Sequence, residues 1–363
     1  MIVDTKRFDL QPLDARALPD AVAFLDHRRP PPDPRSSLRH LQWLLIDNPL
    51  AAAAPHHGLC IRNASGAIVG LLAAFPAAFR AGERRLLGLG SGSYFVAPEA
   101  RTLGFYLFKR HLRWPGFDFF FSTSCNAASG ALWKTLGARA VPGSDAEYVL
   151  PLDLGIVLPA FLAGRTASAL ATGAARILGR CATGLLRSVV PSSAGVISEP
   201  CRDWEKLAEL ARRHRPAGWI TADRSAAFLT WRYGPSSPNH AADVRVFRDT
   251  RGNEGWFSLG HTIRGDRTPI RGRVLLDATW PRDRMGFDAV LMAIARFVEH
   301  DADAIYFRPR PGVDYGECRP WIIRRRRDPP AAFAVAGPGR APLGVSGLDL
   351  VFADGDGGFP DDA

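Results

Sequence analysis

The sequence lacks the cysteine patterns that stabilise small secreted or zinc-binding proteins. Its cysteines are odd in number, dispersed and never spaced as C-x-x-C: Cys60, Cys125, Cys181, Cys201 and Cys318. This pattern argues against a disulfide framework and against a zinc ribbon, and it favours a reducing compartment. The adjacent pair His56 and His57 has no partners at metal-ligand spacing, so no metal site is predicted.

Long apolar runs are also absent. The sequence contains no stretch of about 18 uninterrupted apolar residues, and arginines interrupt its closest candidate, residues 156–190. Residues 1–18 carry no apolar run behind a basic start, so no signal peptide is expected. We therefore predict a cytoplasmic protein without a membrane-spanning helix.

Lysine is scarce, although the chain is basic. Of the 46 basic residues, all are arginine except Lys6, Lys109, Lys134 and Lys206, and the formal net charge is +10. A surplus of positive charge favours an anionic partner, such as a phosphorylated cofactor, nucleic acid, an acidic glycan or a membrane surface. Because arginine-rich composition often follows genomic base composition, the charge does not select one of these partners.

Length and patterning predict two domains joined by a connector. The chain has 363 residues, enough for two domains of ordinary size. Residues 153–200 are rich in alanine, glycine, leucine and arginine with helical spacing of the apolar residues, which predicts a helical connector. A basic amphipathic helix lying on an anionic membrane is the alternative for this segment. The predicted domains are residues 1–152 and 201–363.

The second half repeats the order of elements predicted for the first: helices, antiparallel strands, then strand–helix–strand. Leu41-Gln42-Trp43 corresponds to Leu229-Thr230-Trp231, 188 residues later, and Gly104 corresponds to Gly286 at a similar separation. Shared order and shared landmarks indicate a duplicated domain.

One segment of the first half has the pattern of an anion-binding strand–loop–helix unit. Residues 89–112 read LGSGSYFVAPEARTLGFYLFKRHL, a strand ending at Val96, a loop with Pro98, and then Arg101-x-x-Gly104 opening a helix. Free N–H groups and the positive dipole end make a helix start suitable for phosphate, and Gly104 is expected to let the backbone approach a pyrophosphate closely. A second unit follows, in which a strand leads to Asn126 and to a helix that stops at Gly137.

These two units resemble the acyl-CoA motif and the following element of the GNAT (GCN5-related N-acetyltransferase) superfamily. The resemblance covers residues 7–150 well and residues 200–363 only in general plan. It implies mixed α/β sheets in two tandem GNAT-like domains, with acetyl-CoA or another acyl-CoA bound by the first. The positions that match the motif are Phe95, Val96, Arg101, Thr102, Leu103, Gly104, Phe105, Tyr106 and Asn126.

Two residues depart from the GNAT pattern. Tyr106 stands where the motif has a small residue, and Trp133 stands where many GNAT enzymes carry a tyrosine that protonates the departing thiolate. An indole donates a hydrogen bond but is not a useful acid. The second half has no equivalent of Arg101-x-x-Gly104, so we expect no CoA there and predict that it forms a cleft wall or substrate site against the first domain.

The resemblance implies a CoA-dependent N-acyltransferase, with acetyl as the expected acyl group and direct transfer in a ternary complex. Candidates for the base are Glu99 and Tyr94. The acceptor is expected to be the amine of a small molecule or of a cell-envelope precursor, and no specific DNA partner is expected. The alternatives are a GNAT-fold binding protein without chemistry and a Fem-type transferase that takes aminoacyl-tRNA.

Overall fold

The structure, a computed structural model, describes residues 7–28, 36–163, 169–189, 196–265, 268–310, 312–341 and 344–355. The first half of the chain forms β1 (Phe8–Pro12), α1 (Leu18–Arg28), α2 (Ser36–Leu45), β2 (Gly58–Asn63), β3 (Ile68–Ala81), β4 (Arg84–Val96), α3 (Arg101–His111), β5 (Phe119–Ser122), α4 (Ala127–Thr135), β6 (Arg139–Ala140) and β7 (Ala146–Pro151).

The remainder of the chain begins with two helices of the connector. Its elements are α5 (Leu154–Ala163), α6 (Ala169–Val189), β8 (Ile197–Pro200), α7 (Trp204–Arg213), β9 (Ile220–Ala222), α8 (Ala226–Tyr233), β10 (Asp243–Arg248), β11 (Glu254–Arg264), β12 (Ile270–Thr279), α9 (Phe287–Phe297), β13 (Ala304–Phe307), β14 (Ile323–Arg326), β15 (Phe333–Ala336) and β16 (Leu348–Asp349). In the part of the chain that the structure describes, none of these helices has both the length and the apolarity needed to cross a bilayer.

Local sequence signals fix the element ends that matter for the site. Asn126 caps α4, where its Oδ1 accepts hydrogen bonds from the backbone N–H groups of Ala128 and Ser129. Gly137, with φ of +84°, follows this helix in the left-handed conformation that glycine adopts most readily. The predicted position of this helix is therefore confirmed.

The strands form two mixed sheets with the same internal order. In the first sheet the order is β1-β2-β3-β4-β5-β15-β6, and in the second it is β8-β10-β11-β12-β13-β7-β14. Along these orders, each sheet has an antiparallel meander followed by a parallel pair, β4 with β5 and β12 with β13, with a helix between the paired strands. The first sheet also contains β9, which pairs with β3, and β16, which pairs in parallel with β9. The predicted duplication of a mixed α/β domain is confirmed by this correspondence.

Each sheet takes one inner strand from the other half of the chain. Strand β7, from the first half, lies between β13 and β14 of the second sheet. Strand β15, from the second half, lies between β5 and β6 of the first sheet. The predicted boundaries at residues 152 and 201 therefore do not separate the two sheets, because each sheet takes an inner strand from the other half of the chain.

Aromatic side chains fill the core beneath the first sheet. Phe79 packs edge-on against Phe119 and Phe121, with ring centroids 4.8 and 5.3 Å apart, and all three side chains are buried. Edge-to-face packing of this kind adds to the stabilisation from apolar burial. Side chains of β3 and β5, the two neighbours of β4, thus pack against each other and support β4 between them.

Candidate functional site

Strand β4 contains a bulge near its outer end. Leu71 pairs with Phe95 and Ala73 with Gly92, so β4 carries one residue more than β3 over this interval. Ser93 lies within the bulge and has φ of +48°, a left-handed conformation that is uncommon for residues other than glycine. An extra residue of this kind bends the strand and increases its twist.

Strands β4 and β5 separate just before the bulge. Their parallel pairing runs from Gly88 opposite Phe119 to Gly90 opposite Phe121, after which β4 continues to Val96 while β5 ends at Ser122. The backbone of β4 past this point is therefore not paired with β5. Phe95 lies on this stretch and remains 37% exposed. The geometry leaves an opening along the edge of β4 that leads to the start of α3.

The start of α3 is exposed and has no side-chain cap. A single 3-10 turn, Pro98–Ala100, leads directly into the helix, where the N–H of Arg101 donates to the carbonyl of Pro98, and Ala100 as the N-cap has no side chain that accepts a hydrogen bond. Arg101 and Thr102, the first two helical residues, are both exposed. The positive end of the helix dipole and the basic residue Arg101 therefore lie at the same point, a combination that favours an anion such as phosphate.

Gly104 serves packing rather than a close approach to ligand. A Cβ at this position would overlap the hydroxyl of Tyr94 and lie 3.3 Å from Cγ2 of Val96. The space above Gly104 is therefore occupied by side chains of β4, and only glycine lets α3 approach this strand so closely. This observation corrects the expectation that Gly104 is small in order to admit a pyrophosphate.

Tyr94 is a packing residue at this contact. Its ring meets Phe108 of α3 edge-on, with centroids 5.2 Å apart, and burial raises the pKa of its hydroxyl to about 12. At neutral pH the side chain is therefore protonated and cannot take a proton. Of the two residues predicted as a base, Glu99 therefore remains the candidate.

The remaining predicted residues divide between the surface and the core. Glu99 is exposed within the turn that precedes α3, and Asn126 is exposed with its Oδ1 engaged in capping α4. Leu103 packs against the first core, whereas Phe105 and Tyr106 lie on the outer part of α3 with ring centroids 5.9 Å apart. Tyr106 is 58% exposed and lies one turn after Thr102, on the same face of the helix.

Trp133 lies in the core and not in the opening. Its side chain is 1% exposed and meets Phe108 edge-on, with centroids 5.1 Å apart. The residue at this position therefore supplies neither a proton nor a contact to a ligand beside β4. The departure from the GNAT pattern at Trp133 is a replacement by an apolar packing residue.

The second sheet contains the corresponding opening, but the chain itself fills it. Pairing of β12 with β13 runs from Gly272 opposite Ala304 to Val274 opposite Tyr306, and β12 then continues to Thr279. In the space beside it, Arg310 donates to the carbonyl of Ala278 at 2.8 Å. Val351, Phe352 and Ala353 join the same core cluster as Leu276 of β12. This filled space is the physical counterpart of the missing motif in the second half.

Two acidic residues of the C-terminal segment lie in the interior. Aspartates among glycines, as in residues 349–362, predict a polar turn and a frayed end, yet Asp349 and Asp354 are both buried and bound by arginines. Their partners, Arg224 and Arg310, are distant in sequence, so no local pattern marks the pairs. Three further aspartates of the tail, Asp356, Asp361 and Asp362, lie outside the described residues.

Comparison with solved structures identifies the fold. The chain is similar to a GCN5-related N-acetyltransferase from Anabaena variabilis ATCC 29413, with a TM-score of 0.53 and 12% identity over 91% of this chain and 73% of that one. It is similar to a probable N-acyltransferase from Enterococcus faecalis V583, with a TM-score of 0.56 and 10% identity over 91% and 72%. A GCN5-related N-acetyltransferase from Kribbella flavida gives a TM-score of 0.51 and 11% identity over 91% of this chain and 71% of that one.

Sequence comparison alone is less informative, because no protein-family profile and no curated protein matches the chain. The fold assignment therefore depends on structural similarity, which extends over nine-tenths of the residues, and on the equal strand order of the two sheets. The chain has the fold of the GNAT superfamily, in two tandem GNAT-like domains.

Proposed function

We propose that this protein is an acyl-CoA-dependent N-acyltransferase whose acyl-CoA site lies in the first domain. The observation that carries the proposal is the separation of β4 from β5 directly beside the uncapped start of α3. That arrangement combines an open strand edge with a phosphate-binding helix end, and both are needed to hold a long phosphorylated thioester. The general N-acyltransferase character of the structural neighbours supports the proposal.

The residues of the opening fit such a ligand. The backbone N–H groups at Thr102 and the residues after it would bind the phosphates, with the guanidinium of Arg101 adding a charged contact. The backbone of Phe95 and Val96 would bind the amide groups of the pantetheine arm and orient the carbonyl. Acyl-CoA, when bound, supplies a thioester carbonyl that is activated toward an amine.

We infer that acetyl is the acyl group and that a small molecule or a cell-envelope precursor provides the amine. The amine nitrogen attacks the carbonyl directly, so that a C–N bond forms while the C–S bond breaks. Glu99, exposed at the edge of the motif, accepts the amine proton either directly or through water. The leaving thiolate takes its proton from solvent, because Trp133 is buried and has no acidic proton to give.

Calorimetric titration of acetyl-CoA into wild type and two variants of Thr102 tests the site. Thr102→Glu places a negative charge among the phosphate-binding groups, although a glutamate at a helix start stabilises the helix itself. Thr102→Gln adds similar bulk without the charge and is the matched control. We expect binding to wild type and to Thr102→Gln, and none to Thr102→Glu. Equal affinity of all three proteins would place acyl-CoA elsewhere.

A second candidate function is that of a GNAT-fold binding protein without chemistry. The burial of Trp133 favours it, because the position that many GNAT enzymes use for an acid is here part of the core. An assay of acetyl transfer to a panel of amines, with the release of free CoA as its readout, distinguishes the two functions. Turnover dependent on Glu99 supports the enzyme. Tight binding of acetyl-CoA with no transfer to any amine supports the binding protein.

A further inference from the structure

A second opening, which we call the interdomain cleft, lies between the two domains and has a volume of about 370 Å³. Arg80 of β3 lines it from the first sheet. The other walls come from α7, the start of α8, the end of β12, and the buried Asp349. Clefts of this size at domain interfaces commonly hold small molecules.

The interdomain cleft is separate from the proposed acyl-CoA site. Arg80 lies seven residues along β3 from Ala73, which pairs with Gly92 at the bulge of β4. At about 3.3 Å per residue, this separation is roughly 23 Å along the strand. A ligand in the cleft therefore does not occupy the opening beside β4, and the two sites can be tested independently.

Two arginines share one buried carboxylate at the inner wall. Asp349 accepts hydrogen bonds from Arg310 at 2.7 Å and from Arg282 at 3.0 Å. Its side chain is 1% exposed, whereas those of Arg310 and Arg282 are 10% and 21% exposed. Both guanidinium groups also lie over the ring of Trp280, at 5.2 and 4.7 Å from its centroid. The carboxylate is thus hidden behind the cations, which face the cleft.

The opposite wall repeats this arrangement. Asp223 receives Arg80 at 3.1 Å and lies 3.9 Å from Arg215. Two cations again share one anion, so each wall carries one positive charge that the protein does not neutralise locally. Burial and the nearby charge of Arg310 lower the pKa of Arg282 to about 10, which leaves it protonated at neutral pH.

The other charged groups of the cleft differ from these two walls. Arg224, at the floor, lies between the buried carboxylates of Asp277 and Asp354, so the floor has one carboxylate more than it has arginines, and burial raises the pKa of Asp277. On the outer wall, Arg212 and Arg213, which are 68% and 56% exposed, share Glu209, and Glu205 also lines the cleft. The less exposed groups in which two arginines share one carboxylate are therefore those of Asp349 and Asp223.

We propose that the interdomain cleft binds a small molecule bearing an oxyanion, held between Arg282 on one wall and Arg215 on the other. A guanidinium fork matches the paired oxygens of a phosphate or a carboxylate, and a second anion would supply the negative charge that each wall lacks. Because Arg80 of the first sheet shares Asp223 with Arg215, the bound molecule would lie against both domains.

Calorimetric titration at low chloride tests this site with two probes, inorganic pyrophosphate and citrate. All proteins in the series carry Thr102→Glu, so that the start of α3 does not contribute. Arg282→Gln and Arg215→Gln each remove one wall cation while leaving the shared carboxylate an arginine partner. Arg284→Gln is the matched control, because Arg284 lies in the same loop but outside the cleft and is exposed.

We expect one of the probes to bind the parent protein and to lose affinity by about tenfold or more in Arg282→Gln and Arg215→Gln, the factor that corresponds to one charge-assisted hydrogen bond. Arg284→Gln should bind like the parent. Preference for pyrophosphate would identify a phosphorylated ligand, and preference for citrate a carboxylated one. Failure of both probes to bind, or an equal loss in the control variant, would overturn the proposal. The titration of a wall variant is interpreted when its circular dichroism spectrum is the same as that of the parent protein.

Discussion

Trp43 and Trp231 stack on each other at the interface between the two domains. Their ring centroids are 4.7 Å apart at an interplanar angle of 12°, and each indole N–H donates to the backbone carbonyl of the other residue at 2.9 Å. The two residues are the tryptophans of the repeated segments Leu41-Gln42-Trp43 and Leu229-Thr230-Trp231. The two copies of the repeated segment therefore contact each other reciprocally, as equivalent surfaces do in a two-fold symmetric dimer.

Replacement of Trp43 by phenylalanine should destabilise the protein more than an ordinary loss of ring volume. The variant removes the N–H that satisfies the carbonyl of Trp231, and an unsatisfied buried acceptor costs about 1–3 kcal/mol. Trp256→Phe is the matched control, because Trp256 is fully buried and its Nε1 has no hydrogen-bond partner among the described residues. Denaturant unfolding should show the larger loss for Trp43→Phe; equal losses would contradict a role for the reciprocal bonds.

Gly104→Ala should destabilise the protein even though alanine is the better helix former. In an open helix this change stabilises by up to about 1 kcal/mol, but here the added methyl overlaps the hydroxyl of Tyr94. Tyr94→Phe removes that hydroxyl, so Gly104→Ala should become neutral or stabilising in the Tyr94→Phe background. A double-mutant cycle by urea unfolding measures the coupling. Additive effects would show that the contact is not what requires glycine.

Stability should fall at acidic pH because of His111. This residue is fully buried, with its Nε2 2.7 Å from the Oγ of Ser91, and burial lowers its pKa from 6.5 to about 3. Between these values the unfolded chain binds a proton that the folded protein does not. The free energy of unfolding should therefore decrease as pH falls from 6.5 toward 3, by about 1.4 kcal/mol per unit from this residue.

The variant His111→Phe should lose this part of the pH dependence, while His27→Gln, a change at an exposed histidine, should retain it. Unfolding by urea at a series of pH values between 3.5 and 7 measures the slope for each protein. An unchanged slope in His111→Phe would assign the acid sensitivity to other groups.

Glu99→Gln tests the proposed base. The amide cannot accept the amine proton, so kcat/KM for acyl transfer should fall by about 10²–10⁴-fold. Glu83→Gln is the control, since Glu83 is exposed in the turn between β3 and β4, far from α3. Full activity of Glu99→Gln across the pH range would transfer the role to a water molecule or another residue.

The strands and helices around the motif were predictable because their signals are local. Asn126 and Gly137 mark the two ends of α4 by capping chemistry, and the run ending at Val96 has the composition of a buried strand. The reason for Gly104 was not predictable in the same way. The hydroxyl that fills the space above it belongs to Tyr94, and only the packing of α3 on β4 brings the two together.

The buried charged residues of the second domain could not be predicted from the sequence either. Asp349 and Asp354 lie in a glycine-rich stretch whose composition is typical of a solvated tail, and their arginine partners are distant along the chain. Long-range pairing decides the burial of such residues. The exchange of β7 and β15 has the same cause, since a short apolar strand does not specify which of two equivalent sheets it will join.

The exchanged strand β15 sets an order of events during synthesis. The edge of β5 in the first sheet is paired only when residues 333–336 join it, roughly 210 residues after β5 itself leaves the ribosome. At about 5–20 residues per second, this interval lasts roughly 10–40 s. Throughout it, the edge of β5 beside the buried residues Phe119, Phe120 and Phe121 has no partner from its own half of the chain. The first domain is thus translated first but finished last, and the apolar edge of β5 stays open in the nascent chain until residues 333–336 have been made.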